Sequence, residues 1–72
     1  MSDIWVIKDS ETDMWLTVPS SASPEESEWS EEYAEHFTSE GMANSVISGW
    51  GYTPGQRYIG SNPPTPPPKP PL

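Results

Sequence analysis

The chain has 72 residues, of which 32% are apolar and none is cysteine, and it carries a formal net charge of −8. A chain this short forms one domain and buries only about 60% of its unfolded surface. Without cysteine it has neither a disulfide framework nor a thiolate metal site to staple it, so four Trp, three Tyr and one Phe must supply much of the core.

Eleven carboxylates stand against three Lys and Arg residues. Such a surface repels nucleic acid and anionic membrane, and favours partner proteins with basic surfaces, including proteins that themselves bind nucleic acid. The plainer reading of the same charge is solubility alone. No apolar run approaches the ~20 residues that span a bilayer, and the N-terminus lacks a basic, apolar secretory pattern. A cytoplasmic protein, monomer or homodimer, is therefore expected.

Taken in chain order, Ile4, Trp5, Val6 and Ile7 form a β-branched and aromatic run. A polar linker follows, then Met14, Trp15, Leu16, Thr17 and Val18, which together make a β-hairpin signal. Asp9 is placed to initiate the turn through its side chain, and Asp13 to tolerate a left-handed conformation at its end. Alternation puts Ile4 and Val6 on one face and Trp5 and Ile7 on the other, while Met14, Leu16 and Val18 share a face. Both faces of the first strand are apolar, so the hairpin should be covered by a helix on one side and by aromatic side chains on the other. Pro19 ends the second strand.

Residues 23–52 hold seven of the eleven acidic residues, two tryptophans and the one histidine. Two readings of this stretch compete. In the first, Ser23, Pro24 and Glu26 open a helix as a capping box, and Trp29, Tyr33 and Phe37 form its aromatic stripe. In the second, the helix starts later: Thr38 caps it, Ser39 and Glu40 form its first turn, and Met42, Ala43, Val46, Ile47 and Trp50 form its buried face. Gly51 then closes it, and residues 33–37 are an extended segment beside the hairpin. The second reading is favoured, with residues 24–37 left open to partial helix. Gln56, Arg57, Tyr58 and Ile59 read as a last short strand.

Ile4 through Val18, then Trp29-Ser30-Glu31-Glu32 and Ala34-Glu35-His36-Phe37-Thr38-Ser39-Glu40, resemble a loose class of small phage and bacterial proteins. In that class a hairpin precedes an acidic stretch, a segment of this form enters a short helix, and a final strand follows. The chain departs from it at Asp13, where the class usually has Gly, and at Gly41, where it usually has Glu. The resemblance implies a more strained turn and a weaker helix start at those positions. Trp50-Gly51-Tyr52-Thr53-Pro54 also resembles a link found in short podophage inhibitors of bacterial RNA polymerase, which are likewise small and acidic. The basic residues of their last strand are matched only by Arg57, so the identity of the partner does not carry over.

The fold class expected is α+β: residues 1–60 as a small antiparallel sheet, made of the hairpin and a C-terminal strand, packed on one helix. Residues 61–72 form a proline-rich tail, either disordered or in polyproline II conformation, because seven prolines there remove amide donors and restrict φ. Pro64 and Pro67, with Lys69 beyond them, fit the spacing of a ligand for SH3-type grooves, although any run so rich in proline produces that spacing.

Little in the chain points to catalysis. His36 has no cysteine and no marked serine with which to build a nucleophilic set. Glu25, Glu26, Glu28, Glu31 and Glu32 lack the spacing of a calcium loop, and the glycines lack that of a phosphate loop. The expectation is a non-enzymatic binding module without cofactor or metal. Glu25, Glu26, Glu28, Glu31, Glu32 and Glu35 would steer a basic partner, with Trp29 and Tyr33 as anchors. A phage-encoded inhibitor or modulator of a host protein is the first reading. A virion or assembly component whose tail docks on a neighbouring subunit, and an adaptor offering its tail to an SH3-type groove, are the alternatives.

Overall fold

A computed structural model describes residues 3–71; Met1, Ser2 and Leu72 lie outside the described residues. The elements in chain order are β1 (Val6–Asp9), β2 (Met14–Val18), β3 (Glu28–Ser30), α1 (Glu40–Gly49) and β4 (Tyr58–Ser61). They form a four-stranded sheet in the order β3-β2-β1-β4, with every pairing antiparallel. The described residues therefore form an α+β fold with one helix.

The hairpin forms where the apolar runs and their polar linker place it. Asp9 accepts the Glu11 N–H on its side-chain oxygen at 2.9 Å, which is the local bond that lets Asp nucleate a turn. Asp13, at φ +64°, closes the loop in the left-handed region. Its N–H donates to the Asp9 carbonyl at 2.7 Å. Glycine adopts such a φ without strain, and Asp is one of the few other residues that tolerate it.

One side of the sheet carries the core. Ile7, Leu16, Phe37, Ala43, Ile47 and Tyr58 pack together, with Trp5, Trp29, Val46 and Trp50 against them. Val6, on the opposite face by alternation, is fully buried as well. That face also carries Trp15, with the Lys8 ammonium 5.2 Å from its ring centroid. Most of the aromatic material, however, lies on the same side as the helix rather than on the reverse. Val18 does not share the inward face with Leu16: the β2–β3 register shifts between them, and the irregularity leaves Val18 47% exposed.

The helix is the later of the two alternatives, and residues 24–37 contain none. Its cap is Ser39 rather than Thr38. Ser39 is extended at φ −154°, and its side chain accepts the Met42 N–H, while the Thr38 hydroxyl is directed at the Met42 sulfur. Gly51, at φ +86°, follows the last turn as the left-handed residue that helix ends favour. The final strand lies two residues later than expected, because Gly55 at φ +93° donates its N–H to the Tyr58 carbonyl at 3.0 Å. That contact keeps Gln56 and Arg57 in a turn.

Helix and sheet come close together at Gly60. It pairs with Ile7, and a Cβ built there would lie 3.1 Å from the Asn44 Oδ1 and 3.4 Å from the Ala43 Cβ. Gly49, by contrast, has nothing within 4 Å of such a Cβ and no left-handed φ. The two glycines should respond in opposite senses. Gly60→Val is expected to destabilise the fold by about 1–3 kcal/mol through overpacking, despite the strand propensity of valine. Gly49→Ala is expected to stabilise it by about 0.5 kcal/mol through helix propensity and a stiffer unfolded chain. Urea denaturation followed by tryptophan fluorescence reads both, and two shifts of the same sign would contradict this packing.

Candidate protein-binding face

The capping-box residues at 23–26 act locally as their chemistry dictates, but for one turn only. The Glu26 N–H donates to the Ser23 Oγ at 3.3 Å, and the Ser23 hydroxyl donates to the Glu26 carboxylate at 3.4 Å. The Ser27 N–H closes the turn on the Pro24 carbonyl at 3.1 Å. The chain then leaves helical geometry, because residues 28–30 pair with β2 as an edge strand. Trp29 pairs with Leu16 and stacks on Tyr58 with ring centroids 5.5 Å apart. Its indole N–H donates to the Pro24 carbonyl at 3.0 Å.

This arrangement places Glu26, Glu28, Glu31 and Glu32 on edge strand β3 and its flanks, whereas Glu25 lines a cavity with Asp9 and Arg57 at the hairpin turn and Glu35 is fastened to Leu16 of β2. Glu25, Glu26, Glu28, Glu31 and Glu32 are exposed, and Glu35 is half-buried. Tyr33 is half-buried too, its N–H held by the Ser30 hydroxyl oxygen at 3.2 Å. Trp29 sits behind the carboxylates as a packing residue, whereas Tyr33 lies in the segment that carries them. Glu35 is partly engaged by its own chain, since its carboxylate accepts the His36 N–H at 2.9 Å.

The basic residues of the folded body are committed elsewhere. Lys8 pairs with Asp13 at 2.8 Å. Arg57 pairs with Asp9 and Glu11, each at 3.3 Å. Among the described residues, then, none of the six glutamates between positions 25 and 35 takes part in an ion pair. No group of three or more His, Asp and Glu among the described residues is placed to hold a metal ion, and no helix of the described residues is long and apolar enough to cross a membrane.

The Asp9–Arg57 pair was not evident from spacing, because its partners are 48 positions apart. The one available sign was a lone arginine in an otherwise acidic fold. Burial pushes the Asp9 carboxyl up. The Arg57 hydrogen bonds, the Glu11 N–H, the guanidinium charge and the Thr12 hydroxyl outweigh it and hold the group below its ordinary value. The same contact raises the Arg57 guanidinium, and burial raises the Tyr58 phenol.

The tail also touches the body. His36 Nε2 lies 2.7 Å from the Pro67 carbonyl oxygen, and the Ala34 N–H donates to the Pro68 carbonyl at 3.0 Å. Pro64 is exposed and Pro67 half-buried, while Lys69 lines a small cavity with Glu35. Neither His36 nor Ala34 was singled out as a tail contact by the sequence, since nothing local marks a donor whose acceptor lies some thirty positions downstream.

Comparison with protein-family models, curated proteins and solved structures returns no match. The site must therefore be read from its own geometry.

A carboxyl held low in the fold contributes stability that is present above its unfolded pKa of about 3.9 and is lost as pH falls through the folded value. Asp9→Asn should lower the thermal midpoint near neutral pH by roughly 5–10 °C. The gap between wild type and variant should close as pH drops below about 4. Circular dichroism melts across that range test this, and a gap independent of pH would show that the Asp9 charge does not stabilise the fold.

Proposed function

We propose that this chain is a non-enzymatic protein-binding module that docks its acidic border on the basic surface of a partner protein and so inhibits or modulates it. One observation carries the reading. Glu26, Glu28, Glu31 and Glu32 lie exposed on edge strand β3 and its flanks without an ion pair among the described residues, while both cations of the folded body are bound at the hairpin turn. Carboxylates left unneutralised on one border produce a directional field, which accelerates encounter with a basic partner and orients it. Charge along an edge strand also discourages backbone pairing with another strand. Docking would therefore proceed through side chains, with Tyr33 as the aromatic nearest the acidic rim.

A phage-encoded modulator of a host protein that binds nucleic acid is the specific form of this proposal. The likeness to small acidic phage proteins with a hairpin, an extended segment and a short helix supports it. A partner that binds nucleic acid presents the basic surface that this border complements.

The test is affinity capture of host proteins by the tagged chain. Wild type is compared with two double charge reversals: Glu31→Lys with Glu32→Lys on the border, and Asp3→Lys with Glu40→Lys away from it. Retention of a basic partner should fall at least about tenfold between about 50 mM and about 300 mM salt. It should fall comparably for the border variant at low salt, and by less than about twofold for the distant one. Equal losses in the two variants would reduce the effect to net charge, and no loss in either would remove the border from the interaction.

A further inference from the structure

The tail contacts residues 34–36 rather than β3, and it is held there by specific donors. A proline-rich segment offers carbonyl oxygens and ring surface but few N–H groups, so a site that receives one must present donors and need not present acceptors. Residues 34–36 do this. The Ala34 N–H and the His36 Nε2 reach the consecutive carbonyls of Pro68 and Pro67, at 3.0 Å and 2.7 Å. A prolyl carbonyl only accepts, so the His36 ring must carry its proton on Nε2 to make this bond.

The donors sit on an anchored stretch of chain. Between them the Glu35 N–H donates to the Leu16 carbonyl at 2.7 Å, and Phe37 exchanges two backbone bonds with Trp5, each 2.8 Å. Successive amides of an extended segment point to opposite sides, so with the Glu35 N–H turned to β2 the Ala34 N–H faces the tail, while His36 reaches it through its ring. Ala34 is fully buried. Beside it, Thr17, Val18 and Glu35 enclose a cavity of about 230 Å³ with Lys69, Pro70 and Pro71.

We propose that residues 34–36, with Thr17 and Val18, form a binding site for proline-rich extended peptides, and that residues 67–71 of the same chain occupy it as a tethered ligand. An ordinary strand docked here would leave its own amides seeking acceptors, whereas a proline run has few amides to satisfy. The tether is short, since Pro67 follows closely on Ser61, the last residue of β4. Such a link gives an effective concentration on the order of millimolar. A peptide arriving from outside must compete with the tail. The coupling is reciprocal: a partner that captures the tail opens the site, and a peptide that fills the site releases the tail with its Pro64, Pro67 and Lys69.

The experiment uses the full-length chain and a fluorophore-labelled synthetic peptide with the sequence of residues 61–72. A variant with Pro66, Pro67, Pro68, Pro70 and Pro71 all changed to Ser keeps the chain length while weakening the tethered ligand. Fluorescence anisotropy should show the peptide binding this variant at least about tenfold more tightly than wild type. Adding His36→Ala to the serine-tailed variant should lower that affinity at least about fivefold. Hydrogen exchange supplies an independent reading, with the Ala34 amide exchanging at least about tenfold faster in the serine-tailed variant. Equal peptide affinity for the two chains, including no binding to either, would overturn the proposal, as would an Ala34 amide whose exchange is unchanged.

Discussion

The fold depends on the burial of Tyr58. This side chain, only 2% exposed, starts the last strand and contacts Trp29 of β3, Trp50 at the end of α1 and Tyr52 of the following loop, with ring centroids 5.5, 5.3 and 4.9 Å away. The Arg57 guanidinium lies 5.1 Å from the centre of its ring. One residue thus ties both edges of the sheet to the helix terminus. In a chain without cysteine, this cluster takes the place that cross-links hold in many small domains. Each such aromatic pair contributes about 0.5–1.5 kcal/mol beyond the area it buries. Trp29, Trp50 and Tyr58 also meet Ile47 and Leu16 in one continuous core.

The aromatic cluster and the distribution of charge are connected. Because Trp29 must reach Tyr58, β3 is held at the border of the sheet, and Glu26, Glu28, Glu31 and Glu32 are carried to that border with it. Because Arg57 directly precedes Tyr58, its guanidinium falls beside the Asp9 turn and is used there, together with Lys8 nearby. The acidic border is therefore a consequence of how the core is built: the residues that pack inward draw the cations to the hairpin turn and leave the carboxylates facing solvent. A partner with a basic surface would meet a rim already fixed in position, with little ordering left to cost affinity.

Much of this architecture was legible in the sequence. The hairpin is specified within some thirteen residues, because the alternating runs, the Asp9 side-chain bond and the Asp13 conformation are all local. The helix pattern from Ala43 to Trp50 and its terminating Gly51 are legible for the same reason. The capping box at Ser23 forms only its Glu26 N–H to Ser23 Oγ bond, and the edge of β2 competes for the next residues, so the turn does not propagate. The cap fell on Ser39 rather than Thr38 because both hydroxyls are equivalent in sequence, and only the approach of Met42 distinguishes them. Of the candidate site, the run of glutamates was visible. That Trp29 is enclosed by Tyr58 and Pro24, and that His36 and Ala34 face the tail, was not.

Local chemistry alone determined that the chain is one small acidic α+β domain with an N-terminal hairpin, a late helix and a proline-rich end. Those features rest on spacing, propensity and turn conformation, which act over a few residues. Tertiary structure decided the strand order, the pairing of Asp9 with Arg57 and the contact of the tail with residues 34–36. The β1–β4 pairing, the Asp9–Arg57 pair and the tail contact join groups thirty or more positions apart, and so depend on which surfaces remain available once the core has closed.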